Sequence, residues 1–463
     1  MEKKTQSSSN SMARRTFLKG TLAAAAVSVV PSHVVAKSKN SKNKGPAPSD
    51  KINLAMVGCA HQGGGIGNWH AGTGLCNVTA LCDVDGKSLE RMGGKYKKAS
   101  KFQDFRKMFD KAGKTFDAMT IGIPDHAHFP VSMLAMSQGK HIYVEKPLAH
   151  TFQECELMIA AMKKYKVATQ MGNQGHSGNN PLQFEAWVKA GIIKDVTKVD
   201  ACMNRGRRWH PWKFDEWQSE EMPETIDWDT WIGTAPEHPY SKYLHNGNWR
   251  GWFEYGDGAF GDWGPHTLDT IHQFLECGLP IKTTAVKLEG RKKLLFPMAS
   301  TIRFDFPARG KHPALEINWY DGTKNKPPRP KDLDKGRRFP SCGKVMYSKT
   351  LNFIGGTHHS TLSIFPETKM QEVKSTLPKI TEKQSNHAQN FLLSAMGKEK
   401  CRSSFDISGP LAQMFCIGCI AQRIGGELEL DLKTKQITNS KLGNQLLKGP
   451  PPRKGWEQYY KMA

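Results

Sequence analysis

A carboxylate four residues before an imidazole, and a second acid three residues beyond it, stand in the run Glu254–His272, EYGDGAFGDWGPHTLDTIH: Asp262, His266 and Asp269. A histidine beside an aspartate can move a proton near neutral pH. Gly256, Gly258, Gly261 and Gly264 leave room for a ligand or another backbone to come close. Pro265 suits the first turn of a helix, where its missing N–H costs nothing. Leu268, Ile271, His272 and Leu275 then recur with helical spacing. The pattern predicts a helix opening near Pro265, with Asp262 and His266 at its N-terminal mouth. A capped helix whose histidine is merely hydrogen-bonded satisfies the same pattern, and this run alone does not separate the two readings.

A cation is offered earlier in the chain. The apolar run His141–Val144 ends in Glu145-Lys146-Pro147, and the run Ala118–Ile123 ends in Pro124-Asp125-His126-Ala127-His128. A lysine facing a nicotinamide can polarise a substrate hydroxyl; a surface lysine before a helix-starting proline reads the same way. His126 and His128 have metal-like spacing but no third ligand nearby, so they are read as loop lining and no metal is expected.

The elements that would position these groups begin at Ile52. The strand-like run Ile52–Val57 leads into Gly58-Cys-Ala60-His61-Gln62-Gly63, which fits the dinucleotide fingerprint with Ala60 in the place of its middle glycine. Gly58 permits the tight turn, and the following helix presents N–H groups to phosphates. The next strand, Val78–Cys82, ends in Asp83, where a carboxylate holds a ribose 2′-hydroxyl and repels a 2′-phosphate. The expected cofactor is therefore NAD rather than NADP. Strands alternating with helices (about Pro130–Gln138, then Thr151–Tyr165) argue a parallel, doubly wound sheet.

Beyond Ala168–Met171, the run GNQGHSGNN carries Gln174 and His176, which as polar groups at a domain crossing could reach nicotinamide or substrate. A plain surface loop explains them as well. Eight of the twelve tryptophans lie between Trp209 and Trp263. Tryptophan stacks on sugar faces and hydrogen-bonds hydroxyls, so a carbohydrate cleft is indicated, although most of these rings serve as core. Trp249, Trp263 and Trp209 are expected to face it, with Arg250 beside them to hold a hydroxyl or carboxylate. Strand-like runs at Thr283–Leu288, Thr301–Phe306 and Ala314–Tyr320 indicate a mostly antiparallel sheet, and Leu411–Ile424 a last helix before a polar tail.

Taken together, G-x-A-x-x-G, E-K-P and D-W-G-P-H in this order resemble the Gfo/Idh/MocA family of oxidoreductases from about Ile52 to Trp456. The resemblance implies an α/β fold: an N-terminal Rossmann domain and a C-terminal α+β domain with a large, mostly antiparallel, open-faced sheet. It also implies a sugar, glycoside or polyol oxidoreductase that assembles as a dimer or tetramer. Lys146, Asp262 and His266 would be its catalytic group. Gly58, Ala60, His61, Gln62, Gly63, Asp83, Pro124, His126, His128, Glu145, Lys146 and Gln174 would line the NAD site. Trp249, Arg250, Trp263, Asp269 and His176 would meet substrate. Ala60, and Gly258-Ala259 where relatives are often richer in glycine, depart from the family pattern. A redox-neutral cleavage of glycosides through a 3-keto intermediate, with NAD retained and recycled, is the alternative.

The ends of the chain add context. Arg14-Arg15, the apolar run Leu22–Val30 and Val34-Val35-Ala36 read as a twin-arginine signal peptide over residues 1–36, which predicts export to the periplasm without a stable membrane anchor. Residues 37–50 read as a linker, 51–170 as the Rossmann domain and 171–463 as the C-terminal domain. Removing the leader takes five basic residues and one acid, lowering the formal net charge from +23 to +19. No Lys/Arg block is interleaved with aromatics, so a nucleic-acid partner is not expected. Cys416 and Cys419 fall in a helical period and are read as core rather than as a redox or zinc pair.

Overall fold

Short strands, most of them apolar and each closed by glycine or a polar residue, build the first sheet. The computed structural model describes residues 50–206, 216–242 and 244–463. The leader, nearly all of the linker and Trp209 lie outside the described residues. Strands β1 (Ile52–Val57), β2 (Cys76–Cys82), β3 (Ser100–Phe102), β4 (Ala118–Ile121), β5 (His141–Val144) and β6 (Thr169–Met171) are ordered β3-β2-β1-β4-β5-β6. Every neighbouring pair is parallel. Parallel neighbours require crossovers, and helices α1 (His61–Gly72), α2 (Gly86–Lys95), α3 (Phe105–Ala112), α4 (His128–Ser137) and α5 (Phe152–Tyr165) lie between consecutive strands. The strand order reverses between β1 and β4, which opens a crevice beyond their carboxyl ends.

Both faces of this sheet are buried, as a doubly wound sheet requires. Leu54 and Met56 of β1 face Ile66 of α1, whereas Ala55 and Val57 face the side of Phe105, Phe109 and Phe129. Alternate residues of one strand thus feed two cores, each large side chain contributing roughly 1.5–3 kcal/mol by burial. Thr151 caps α5 through a reciprocal pair with Glu154, which fixes the chain just after Lys146.

The second sheet holds β7 (Val196–Met203), β8 (Lys282–Glu289), β9 (Ala299–Phe306), β10 (Leu315–Asp321), β11 (Cys342–Ser348), β12 (Asn352–Gly355), β13 (Leu362–Phe365), β14 (Glu427–Asp431) and β15 (Gln436–Ile437). Their order is β13-β12-β11-β7-β10-β9-β8-β14-β15, antiparallel except between β7 and β10. Around it run α6 (Asn179–Lys189), α7 (Trp228–Ile232), α8 (Gly258–Thr267), α9 (Asp269–Phe274), α10 (Glu367–Val373), α11 (His387–Ala395), α12 (Phe405–Ile424) and α13 (Lys441–Lys448).

Late segments return to the first sheet. Phe391 and Leu392 of α11 join the core of Leu54 and Tyr143. Helix α12 lies against both α5 and α8: Phe415 meets Phe260 edge-on at 4.7 Å, and a Cβ on Gly418 would come within 2.4 Å of the Phe260 ring. This contact sets the depth of α8, the helix that carries Asp262 and His266. Cys416 and Cys419 are buried in α12.

Three helix and tail expectations are corrected. Helix α8 begins at Gly258, not near Pro265, because Gly258 at φ +59° lets the chain turn into it. Asp262 and His266 therefore sit in its body rather than at its mouth, and the chain breaks at Leu268 before α9. Helix α12 starts at Phe405 and carries Pro410 inside it. The C-terminal tail is not merely polar: Trp456 and Tyr459 are buried, and Tyr460 packs at a tilt against Phe129, centroids 4.6 Å apart, and donates to Glu154 Oε1 at 2.7 Å.

Candidate functional site

A cleft of about 830 Å³ opens at the carboxyl ends of β1, β2, β4 and β5 and reaches over to α8. Its lining holds Gly58, Ala60, His61, Gln62, Gly63, Asp83, Pro124, Glu145, Lys146 and Gln174 at the sheet, and Trp249, Arg250, Asp262, Trp263 and His266 opposite. Four expected residues are absent from that lining: His126, His128, His176 and Asp269.

The first turn of the Rossmann sheet is shaped by what has no Cβ. Gly58 adopts φ +93°, and a Cβ there or on Gly63 would lie 2.2 Å from the Gly122 carbonyl oxygen. Three chain segments thus meet at van der Waals distance. Ala60 precedes α1 without a side-chain cap, leaving the first N–H groups of that helix facing the cleft. Asp83 accepts from the Cys59 N–H at 2.6 Å and the Asp85 N–H at 2.9 Å, which ties the carboxylate beside the glycine turn. Arg91 lines the same end.

At the other end of the sheet, Gln174 Nε2 donates to Glu145 Oε1 at 2.8 Å and Gln62 Nε2 to the same oxygen at 3.4 Å. Glu145 Oε2 is buried without a partner among the described residues. Burial raises the Glu145 carboxyl above its ordinary value, against the pull of Lys146. A glycine cradle, open helix N–H groups, a ribose-type carboxylate and an orphaned buried oxygen are the groups a dinucleotide would complete. The residues fit NAD.

Lys146 Nζ donates to Asp262 Oδ1 at 2.6 Å, and Arg250 Nε stands 3.5 Å from that oxygen. Burial alone would raise the Asp262 carboxyl; Lys146 and then Arg250 outweigh it and hold it well below the usual carboxylate range. Asp262 thus engages Lys146 rather than His266. The His266 Nδ1 atom is buried without a hydrogen-bond partner among the described residues. Burial, Lys146 and the neighbouring His358 hold this imidazole neutral, well below 6.5. The two rings stack at 4.0 Å, and the His358 N–H donates to the His266 carbonyl at 2.9 Å.

The four absentees do structural work. His126 bonds the Trp231 carbonyl through Nε2 at 2.7 Å and faces the Tyr255 carbonyl through Nδ1 at 3.3 Å. His128 turns Nδ1 toward the Pro147 carbonyl at 2.8 Å and Nε2 toward the Ile123 carbonyl at 3.0 Å, and as a neutral ring it donates to one of the two. With both nitrogens turned to backbone oxygens, neither imidazole reaches a cofactor. His176 pairs with Asp269 at 3.3 Å, both buried behind α8 and close to the buried Lys344.

Sequence reasoning missed several groups. His358 arrives on the β12–β13 loop, and Trp231 and Trp456 add rings to the wall. Asp125 lines the cleft and accepts the Asp257 N–H at 3.1 Å. Its own carboxyl is pushed up to about 7 by burial, against Arg250 and Lys146. Asp125 lies in the Pro124–His128 loop, which the resemblance already placed at the NAD site; nothing local marked His358.

Comparison with known proteins places this geometry. Residues 52–173 match the Gfo/Idh/MocA oxidoreductase family, NAD-binding Rossmann fold, and residues 181–290 match that family's C-terminal alpha/beta domain. A glycosyl hydrolase family 109 protein of Shewanella pealeana is 24% identical over 261 residues, 50% of this chain and 55% of that protein. Another, of Solibacter usitatus, is 27% identical over 172 residues, 35% of this chain and 39% of that one. An inositol 2-dehydrogenase/D-chiro-inositol 3-dehydrogenase of Lactiplantibacillus plantarum is 26% identical over 160 residues, 34% and 45% of the two chains. The chain thus spans about half the length, or less, of these relatives. Among solved structures, the WlbA dehydrogenase of Bordetella pertussis, in complex with NADH and UDP-GlcNAcA, gives a TM-score of 0.56 at 14% identity. It covers 82% of this chain and 99% of that one. The aldose-aldose oxidoreductase of Caulobacter crescentus gives 0.53 at 15% identity, covering 82% and 100%. Both share the fold. Among the described residues no helix is long and apolar enough to cross a membrane.

Proposed function

The chain belongs to the Gfo/Idh/MocA oxidoreductase family, and from that premise we propose that it oxidises a ring hydroxyl of a sugar, glycoside or polyol, with the leader carrying it to the periplasm. The observation that carries the reading is the meeting of Lys146, Asp262 and His266 in one cleft walled by Trp249, Trp231 and Trp263. The neutral imidazole of His266 takes the hydroxyl proton, as a base with a depressed pKa can at neutral pH. Lys146 donates to the alkoxide that develops, and Asp262 holds the ammonium in place through the 2.6 Å bond. The glycine turn at Gly58 and Gly63, Asp83 and Glu145 would hold the NAD, which would supply the hydride acceptor for this oxidation. Tryptophan walls orient the ring and exclude water.

The redox-neutral variant is favoured by one observation: the family 109 glycosyl hydrolases of Shewanella pealeana and Solibacter usitatus are similar to this chain. In that reading, oxidation at C3 would acidify the C2 proton; its removal by a base expels the glycosidic substituent, water then adds at C1 with a proton returning to C2, and reduction of the C3 ketone by the retained hydride restores the sugar. Incubating NAD-loaded protein with matched free sugars and glycosides separates the two. A keto-sugar with accumulating reduced nicotinamide supports the dehydrogenase; a released aglycone with no net reduction supports cleavage. Neither product, from any sugar of a broad panel, would sink both readings.

A further inference from the structure

Among the described residues, one cation in the cleft has no hydrogen bond. Arg250 lines it with a side chain only 14% exposed, yet its one polar contact there is the 3.5 Å approach of Nε to Asp262 Oδ1. That oxygen already takes Lys146 Nζ at 2.6 Å. The next carboxyl, Asp125, gives Oδ2 to the Asp257 N–H at 3.1 Å, and Glu145 is engaged by Gln174 and Gln62 at the sheet side. A guanidinium is a permanent cation with five donors in a planar fork, and leaving those donors unfilled as a ligand displaces water is costly.

The fork is also held still. Its plane lies over the Trp249 ring, 4.2 Å from the centroid. The backbone beneath is pinned by close approach, since a Cβ on Gly256 would fall 2.6 Å from the Arg250 Cα. A fixed, stacked fork with its donors unfilled matches a planar carboxylate in two parallel bonds. Vicinal hydroxyls would fill the donors but without the charge assistance that a carboxylate brings to both bonds.

We propose that the substrate is a sugar unit bearing a ring carboxylate, of uronic-acid type, which Arg250 holds in a bidentate pair while Lys146 and His266 face the reacting hydroxyl. The inference rests on the reading of this cleft as a sugar site.

The test compares methyl glycosides with their methyl glycosiduronates in gluco, galacto and manno configuration, using the NAD-loaded full chain. For at least one configuration, kcat/KM should favour the uronide by about tenfold or more, the scale of one charge-assisted hydrogen bond. Arg250→Gln should bring that ratio toward one, and Arg250→Lys should leave it intermediate, because charge remains but the fork is lost. Unfolding temperatures of both variants separate a local effect from misfolding. Equal or reversed preference in all three configurations overturns the inference while leaving the dehydrogenase reading intact. If no sugar is oxidised, equilibrium binding to the NADH-loaded protein decides. Tighter uronide binding that Arg250→Gln abolishes supports the inference although the reaction reading fails. Equal binding, or none, overturns it. A 6-phosphate preferred over the uronide would also overturn it, in favour of a dianion.

Discussion

The imidazoles of His266 and His358 lie face to face, centroids 4.0 Å apart and planes 14° apart, although 92 residues of chain separate them. The loop that brings His358 is fastened to the same helix turn: the His358 N–H and the Thr357 hydroxyl both donate to the His266 carbonyl. His358 thus shields one face of the proposed base from water and adds a second imidazole to its field. Both effects disfavour the imidazolium of His266, after burial and Lys146. Replacing His358 by Ala should raise the His266 pKa. The acid limb of the kcat/KM profile should then move to higher pH, toward the ordinary value of a free imidazole. An unmoved limb would remove His358 from the site's electrostatics.

Loss of His266 itself should be far more severe. A positioned general base contributes about 10²–10⁴ in rate, so His266→Ala should lower kcat by that range while NAD binding is retained. Full turnover in the variant, measured with any accepted sugar, would remove His266 from the mechanism.

The bond from Lys146 Nζ to Asp262 Oδ1 makes these two residues one unit. Asp262→Asn keeps the shape but withdraws the carboxylate that Lys146 and Arg250 share. Two cations then face each other with little exposure, which costs about 3–5 kcal/mol for a buried pair broken on one side. We expect kcat to fall about 100-fold or more and the double variant Lys146→Met/Asp262→Asn to be little worse than either single one, since members of a unit are not additive. Additive losses would mean the two act separately.

What was legible in the chain follows the range of the interactions. Strands β1, β2, β4 and β5 are short, largely apolar runs closed by a glycine or polar residue, so they and the cleft position above them could be read locally, whereas β3 is polar and largely exposed. Lys146, Asp262 and His266 carry their own motifs. His358 does not: strands β11 to β13, with pairings such as Val345 to Ile354, place it, and no local pattern announces that register. His126 and His128 show the opposite failure. They were expected to line the NAD site, but their ring nitrogens face the backbone carbonyls of Trp231, Pro147 and Ile123, and carbonyl direction is not written in side-chain order. Pro265 misled for a third reason. Gly258 four residues before Asp262 had already started the helix, and a proline late in a helix is tolerated when its turn is otherwise packed.

Asp83 should set the choice of dinucleotide. Its carboxylate is tied to the Cys59 and Asp85 N–H groups beside the glycine turn, and Arg91 lines the same end of the cleft. Asp83→Ser removes the charge that repels a 2′-phosphate and leaves Arg91 to attract one. NAD affinity should weaken about tenfold, the loss of a charged hydrogen bond, while NADP affinity rises. Titration of both nucleotides against the variant and the parent checks this; a parent that already prefers NADP would contradict the assignment.

Acid should unfold the protein before its carboxylates are exhausted. Burial holds His70, His126, His128, His150 and His272 at about 4 and His387 at about 3, each below the ordinary 6.5. His266 is likewise held well below 6.5. Between those values the unfolded chain binds protons that the folded chain refuses. Their contribution is therefore complete above pH 6.5 and is lost as pH falls toward 4. Buried acids work the other way: Asp125 and Glu154, each raised to about 7, and Asp257 and Glu145, also raised, favour the folded chain as pH drops. The imidazoles outnumber these acids, and the balance falls on their side. Each pH unit between a group's folded and unfolded values is worth about 1.4 kcal/mol. Thermal unfolding followed from pH 7.5 downward should show Tm falling from about pH 6.5, with cooperative unfolding at 25 °C by about pH 4. His126→Asn, which removes one buried imidazole, should flatten that slope even if it lowers Tm at neutral pH. A Tm that holds constant down to about pH 4 would mean that these imidazoles take up protons freely and are not sealed from water as the fold places them.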